Sequence, residues 1–259
     1  MDTYAEPEQS RQDAIACGPP VRRLFRDVIA DRLPPDRRPP QAAMLFGAGS
    51  DPFWDERTFL GDFYNEILHQ DTCRPGTADG LLLLAHLAAD DRVPARQRFE
   101  AVHLLFRAAT VAERRLAESW PVTPKDADPD SEALARVAVR AHTPGLLTRW
   151  PDECPAVRLA LAGLAVVLPT ERTLPALTPR LQGFADQHPR GARIGDYVRF
   201  VLVLAAQDDD RILTATEELT GTHWTGTARG VPTRARALHL LGRMLAEVAA
   251  GPARPPTGK

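Results

Sequence analysis

The residues with the clearest potential for chemistry are two glutamate–histidine pairs. Glu66 and His69 lie three residues apart in the chain, and so do Glu100 and His103. On a helix this spacing places a carboxylate and an imidazole on one face. Two such pairs, with one further glutamate from each of two other helices, form a di-iron site in a four-helix bundle. The chain supplies no further glutamate between the two pairs, so we expect no metal and no other cofactor and keep these four residues only as metal-ligand candidates.

His69 also fits a simpler role together with Gln70, which follows it. A histidine at the C-terminal end of a helix can donate to the last free carbonyl groups and interact favourably with the helix dipole. This interpretation of His69 needs no ligand, and we prefer it.

Other sequence signals of catalysis are missing. The chain contains no glycine-rich phosphate loop, no Gly-x-Ser-x-Gly and no Cys-x-x-Cys. The three cysteines, Cys17, Cys73 and Cys154, are far apart and odd in number, which argues against a disulfide framework or a zinc motif. We therefore lean towards a protein that is not an enzyme.

Composition narrows the class of protein further. The chain has 259 residues, of which 44% are hydrophobic and 25% charged, and its net charge is −2. A general nucleic-acid binder normally carries a strong basic excess. The first residues do not have the charged-then-apolar pattern of a signal peptide, and the longest apolar run, from Leu159 to Leu168, is too short to span a bilayer. We expect a cytoplasmic protein that does not bind membranes.

Three helix starts in the sequence read alike and predict stacked helical repeats. Each places a proline at the first turn of an alanine- and leucine-rich helix, where its missing N–H is not needed, and an arginine follows closely. The prolines are Pro94, Pro155 and Pro232. Apolar residues recur with helical spacing throughout, and no segment has the alternation typical of strands. The predicted helices are 21–33, 57–70, 77–89, 94–120, 131–142, 155–168, 174–188, 193–207, 209–219 and 232–250.

The expected organisation is one all-α domain over residues 21–250. A flexible segment, 1–20, precedes it and a disordered tail, 251–259, follows it. The acidic and proline-rich stretch 121–130 is the best candidate for a hinge. Pro144-Gly145 is expected to interrupt the helix that starts at Ser131.

Two stretches of the chain resemble HEAT-repeat proteins. Asp152 followed by Pro155-Ala-Val-Arg-Leu resembles the start of a HEAT helix, and Asp91, Pro94 and Arg96 form a less complete copy. The stretch from Phe59 to Gln70 and the Ala/Leu helix after it look like the opening repeat of HEAT-like proteins common in actinobacteria. Those proteins read Tyr-x-Asn-x-x-x-His-Gln followed by glycine, where this chain has Asp71.

The resemblance implies a right-handed α-solenoid of stacked antiparallel helix pairs that binds other macromolecules. Our leading hypothesis is a protein-binding scaffold or adaptor whose concave face, built from the second helix of each pair, holds the partner. The oligomeric state is left open. The partner-contact candidates are Tyr64, His69, Gln70, Trp150, Asp152, Arg158, Arg193, Arg199 and Trp224.

Two alternatives remain open at this point. HEAT-like DNA glycosylases resemble this layout, and the matching residues would be Trp150 with Asp152, and Trp224. Nucleic acid is not the favoured partner, because no dense basic stripe accompanies these residues and a phosphate backbone requires many lysine or arginine contacts. The other alternative is a toxin-neutralising or regulatory partner protein.

Overall fold

The structure, a computed structural model, describes residues 21–47, 59–68, 71–122, 125, 127–222 and 230–250. Within these ranges the chain forms twelve α-helices and no strand, which confirms the all-α prediction. The helices are α1 (Val21–Arg32), α2 (Ala42–Gly47), α3 (Phe59–Ile67), α4 (Thr77–Ala88), α5 (Ala95–Ala109), α6 (Val111–Ser119), α7 (Pro129–Leu147), α8 (Pro155–Val167), α9 (Thr173–Asp186), α10 (Arg193–Ala205), α11 (Asp209–Thr222) and α12 (Thr233–Ala250).

The three similar helix starts are confirmed as the starts of α5, α8 and α12. Pro155 is the first residue of α8, while Pro94 and Pro232 directly precede α5 and α12. A proline at this point sets the backbone for the first turn without removing a helical hydrogen bond.

The predicted helix over 94–120 is wrong, because it is split at Thr110. Thr110 has a φ of −118° and separates α5 from α6. Its hydroxyl donates to the carbonyl oxygen of Phe106 at 2.8 Å. Threonine side chains can compete in this way with the regular helical pattern.

The predicted interruption at Pro144-Gly145 is also wrong, since α7 continues to Leu147. A proline inside a helix removes one N–H donor and leaves one carbonyl without its helical partner. That carbonyl belongs to Arg140, an exposed residue on the outer side of the helix. Burial of Leu146 and Leu147 stabilises the turn that follows.

The helices pack in two rows. On one side α4 contacts α1 and, most extensively, α7; on the other side α3, α5, α8 and α10 contact one another in that order. In the chain α4 and α5 come before the segment 121–130 and α8 comes after it, while α7 begins at its end. The contacts of α4 with α7 and of α5 with α8 therefore join the two parts of the chain. One hydrophobic core therefore extends from Phe25 to Val248.

The last helix lies across the second row instead of extending it. Helix α12 contacts α5, α6, α8, α10 and α11. Its residues Leu241, Met244 and Leu245 are fully buried. A Cβ atom added at Gly163 of α8 would lie 3.5–3.6 Å from the side chains of Leu245 and Leu241, so the two helices approach closely here. Helix α12 thus packs against α5, α8 and α10, helices of the second row, on which a partner was expected to bind.

Among the described residues, the structure contains no helix with the length and apolar character needed to cross a membrane.

Candidate functional site

The turn between α3 and α4 is organised around one carboxylate. Asp71 has a φ of +60°, a left-handed conformation that is uncommon for residues other than glycine. Its two carboxylate oxygens accept hydrogen bonds from Arg114 at 2.5 and 2.9 Å, and Arg107 donates to one of them at 3.3 Å. These ion pairs hold the turn in the conformation for which the HEAT-like pattern uses glycine.

Tyr64 completes this group, which we name the Asp71 cluster (Tyr64, Asp71, Arg107 and Arg114). The Tyr64 hydroxyl donates to Asp71 at 3.5 Å, and the Arg107 guanidinium lies 5.0 Å from the centre of the Tyr64 ring. Only 1% of Tyr64 is exposed. The expectation that Tyr64 contacts a partner therefore needs correction: it packs inside the protein.

Burial and ion pairing shift the pKa values of Tyr64, Asp71, Cys73 and His103 away from neutral pH. Burial raises the pKa of Asp71, but the hydrogen bond and charge of Arg114 outweigh it and keep that pKa below its usual range. Burial raises the pKa of the Tyr64 hydroxyl and brings that of the Cys73 thiol to about 12. Burial also lowers the pKa of His103 to about 3. None of these groups is suited to general acid–base or nucleophilic catalysis, so the cluster acts as a structural brace.

The two Glu-x-x-His pairs lie in different environments. Glu66 is exposed, Glu100 is half-buried, and His103 is 9% exposed and lies beside the ring of Phe99. His69 lies outside the described residues. Within the part of the chain that the structure describes, no group of three or more histidine, cysteine, aspartate and glutamate side chains could hold a metal ion. The described residues thus give no support to the di-iron hypothesis.

A second charged network joins two of the similar helix starts. The carboxylate of Glu153, just before α8, accepts hydrogen bonds from Arg98 at 2.8 and 3.1 Å and from Arg149 at 2.9 Å. Arg149 also pairs with Asp91, just before α5. The Glu153 side chain is 1% exposed. This network ties the α4–α5 turn to the α7–α8 turn.

Most of the arginines predicted to contact a partner are used within the protein. Arg158 donates to the carbonyl oxygens of Trp150 and Pro151 at 2.9 and 2.7 Å. Arg199 donates to backbone carbonyls at 2.6 and 3.0 Å. Arg193 is exposed, but it donates to the carbonyl of Glu247 at 3.3 Å. Arg158 and Arg199 therefore act as structural residues and not as free contacts.

The aromatic grouping proposed for a glycosylase is not assembled by the described residues. Trp150 is 6% exposed and packs edge-on against Phe184, with ring centres 5.6 Å apart. Because its ring is covered, it cannot stack on an extruded base, and its assignment as a partner contact needs correction. Asp152 is exposed. Gln70 and Trp224, like His69, lie outside the described residues.

An open cleft of about 420 Å³ lies where α8 leads into α9 and α10 ends. Its lining includes Thr170, Thr178 and Gln207, and Glu171 is its one ionisable residue in the described part of the chain. Thr170 is already hydrogen-bonded to Thr173 at 2.7 Å. A binding pocket normally buries most of its ligand, whereas Glu171, Thr178 and Gln207 of this open cleft are exposed to water.

The most unusual surface of the molecule is the outer side of α7. Asp128 caps this helix by accepting hydrogen bonds from the Ser131 amide and hydroxyl at 3.1 and 2.8 Å. Its inner side, including Ala135 and Val139, is fully buried. The outer side presents a continuous apolar stripe, which we name the α7 face: Ala133, Leu134, Val137, Ala138 and Ala141.

Two large side chains of the α7 face are strongly exposed, Leu134 at 54% and Val137 at 61%. They lie one helical turn apart, so they form a single patch. Sequence reasoning missed this patch, because α7 is apolar on both sides and the spacing alone does not tell which side another helix covers. Function must be inferred from such surfaces, since no protein-family model, no curated protein and no solved structure matches the chain.

Proposed function

We propose that the chain is a HEAT-like, right-handed α-solenoid that works in the cytoplasm as a protein-binding scaffold or adaptor. The α7 face is its docking surface. The observation that carries the proposal is the pair Leu134 and Val137, exposed side by side on a well-anchored helix. Contiguous exposed apolar patches bordered by polar residues commonly mark protein-binding sites.

The packing pattern supports the solenoid part of the proposal. Helices in each row contact their neighbours in order. In the first row α1 contacts α4, and α4 contacts α7; in the second row α3 contacts α5, α5 contacts α8, and α8 contacts α10. Successive helix pairs stacked in this way bury a continuous core. Helix α12 then closes the second row, much as a terminal capping element does.

The properties of the described groups in and beside the Asp71 cluster support binding over catalysis. Near the Asp71 cluster, the Cys73 thiol and the His103 imidazole are both buried, with pKa values of about 12 and 3. Docking on α7 differs from our first expectation, in which the second helices held the partner, because α12 occupies that surface.

The proposal is tested by comparing proteins that co-purify with the wild-type chain and with Leu134→Glu/Val137→Glu. Both positions are exposed, so the variant should keep its circular dichroism spectrum and melting temperature. We expect specific partners to be lost, because a charge on an apolar interface is costly to desolvate. Leu213→Glu is the matched control, since Leu213 on α11 is 39% exposed and lies away from α7.

Two results would contradict the proposal. One is capture of the same proteins by the wild type and by the α7 variant. The other is turnover of a small molecule by the purified chain without any stable macromolecular partner.

A further inference from the structure

We infer that the protein bound at the α7 face is a second copy of this chain, held as an antiparallel helix pair. The inference rests on the proposed function, because it names the occupant of the same docking surface. It is carried by two charges that border the apolar stripe.

Asp130 and Arg140 are the charged residues exposed along the outer side of α7. Neither side chain has a hydrogen-bond or ion-pair partner among the described residues. The neighbouring Arg136, by contrast, is paired with Glu113 of α6 at 2.6 Å. Asp130 and Arg140 therefore carry opposite charges that no side chain of the described residues pairs with.

The spacing of these two charges makes the α7 face complementary to itself. Ten residues separate them, which corresponds to about 15 Å along the helix axis. In an antiparallel pair with its two-fold axis near position 135, Asp130 of each copy lies opposite Arg140 of the other. One set of residues thus supplies two identical ion pairs, as a two-fold symmetric interface requires.

The apolar residues between the charges fit the same arrangement. About the same axis, Val137 of one copy lies opposite Ala133 of the other, so a large side chain meets a small one. Leu134 lies next to the axis and approaches its own symmetry mate. Large residues facing small ones allow two helices to pack closely.

The expected dimer is reversible. One helix pair buries less surface than the roughly 1,200–2,000 Å² found in stable complexes. The dimer should therefore form as protein concentration rises and dissociate on dilution. Its specificity comes from the two ion pairs, because like charges placed opposite each other are repelled.

Charge-reversal variants test the inference. Their dimerisation is measured by sedimentation velocity over a range of protein concentrations. Asp130→Arg places two arginines opposite each other, and Arg140→Asp places two aspartates opposite each other. We expect each variant alone to dimerise at least about tenfold more weakly than the wild type. An equimolar mixture of the two variants should recover dimerisation close to that of the wild type, because oppositely charged residues then meet at both ends.

Arg180→Asp on α9 is the matched control and should leave dimerisation unchanged, since Arg180 is exposed on a different helix. A mixture that dimerises no better than the single variants would overturn the antiparallel pair. If the wild type stays monomeric at every concentration, the protein bound at the α7 face is not a second copy of this chain. In that case the co-purification experiment decides about the proposed function. If the wild type captures a partner protein that Leu134→Glu/Val137→Glu does not capture, the proposed function stands. If the two capture the same proteins, the proposed function and the dimer inference both fail.

Discussion

Two apolar helical surfaces of this molecule lie in opposite environments. The outer side of α5, α8 and α10 is covered by α12, whose Leu241 and Leu245 are completely buried. The outer side of α7 is uncovered by the described residues, and Leu134 and Val137 are more than half exposed. An apolar surface stabilises a protein only when another surface removes it from water. Helix α12 covers the first surface, whereas the described residues leave the second exposed to water.

The largest expected effect contrasts one residue from each surface. Leu241→Ala should lower the free energy of unfolding by about 2–5 kcal/mol, because it leaves a cavity beneath α12. Val137→Ala should change it by less than about 0.5 kcal/mol, because Val137 is exposed. Urea unfolding followed by circular dichroism measures both changes. Equal losses would mean that the two surfaces are covered alike.

An effect of comparable size concerns the ion-pair network of Arg98, Arg149 and Glu153, which ties the α4–α5 turn to the α7–α8 turn. Glu153→Ala should cost about 3–5 kcal/mol, since it leaves Arg98 and Arg149 partly buried without their carboxylate. Asp91→Ala is the control and should cost much less than Glu153→Ala, because Asp91 is 84% exposed and its ion pair with Arg149 is screened by water. Thermal melts of the two variants test this order. A Glu153 variant as stable as the control would show that the network does not hold α7 in place.

A smaller effect depends on pH and involves His103 on the covered helix α5. Burial lowers the pKa of His103 to about 3, and the nearby charges of Arg107 and Arg114 act in the same direction. An unfolded chain binds this proton below pH ~6.5, whereas the folded protein does not. Above that pH His103 is neutral in both states and does not affect the free energy of unfolding. As pH falls from ~6.5 towards 3, only the unfolded chain binds the proton, so the free energy of unfolding declines.

Between pH 7 and pH 5 this single group should remove about 2 kcal/mol from the free energy of unfolding. The measurement is the difference in pH slope between the wild type and His103→Gln, which cancels the contributions of other groups. Identical slopes in the two proteins would mean that His103 is open to protonation in the folded state.

The smallest effect is a gain in stability at the end of α10. Gln207 has a φ of +54° just beyond this helix, in the conformation that favours glycine. Because Gln207 is exposed, Gln207→Gly should stabilise the protein by about 0.5–1 kcal/mol through relief of backbone strain. A lower melting temperature for the variant would show that the glutamine side chain makes a contact that outweighs the strain.

The sequence predicted the helical class and the starts of α5, α8 and α12, because proline acts locally at a helix start. It did not predict the split at Thr110, since a threonine that donates to its own helix backbone carries no distinct signal. It also placed a break at Pro144, where burial of Leu146 and Leu147 stabilises the continued helix. Local patterns indicate helices well, whereas tertiary packing decides where some of them end.

The site residues were harder to predict for a related reason. Tyr64 and Trp150 were chosen as partner contacts because of their residue type, but both are buried. Leu134 and Val137 were overlooked because alanine, leucine and valine surround α7 on both sides. Helical periodicity identifies an apolar side but does not say which other helix covers it, and α12 and α7 differ in that respect.

Thiol labelling tests the contrast between the two surfaces most directly. Val137→Cys and Leu241→Cys would each be made in a chain whose three native cysteines are replaced, and labelled with a maleimide at low protein concentration. We predict rapid labelling at position 137 and slow labelling at position 241, with position 137 becoming protected as concentration rises. Slow labelling at position 137 at every concentration would contradict the claim that the α7 face is open, because another part of the same chain would then cover it.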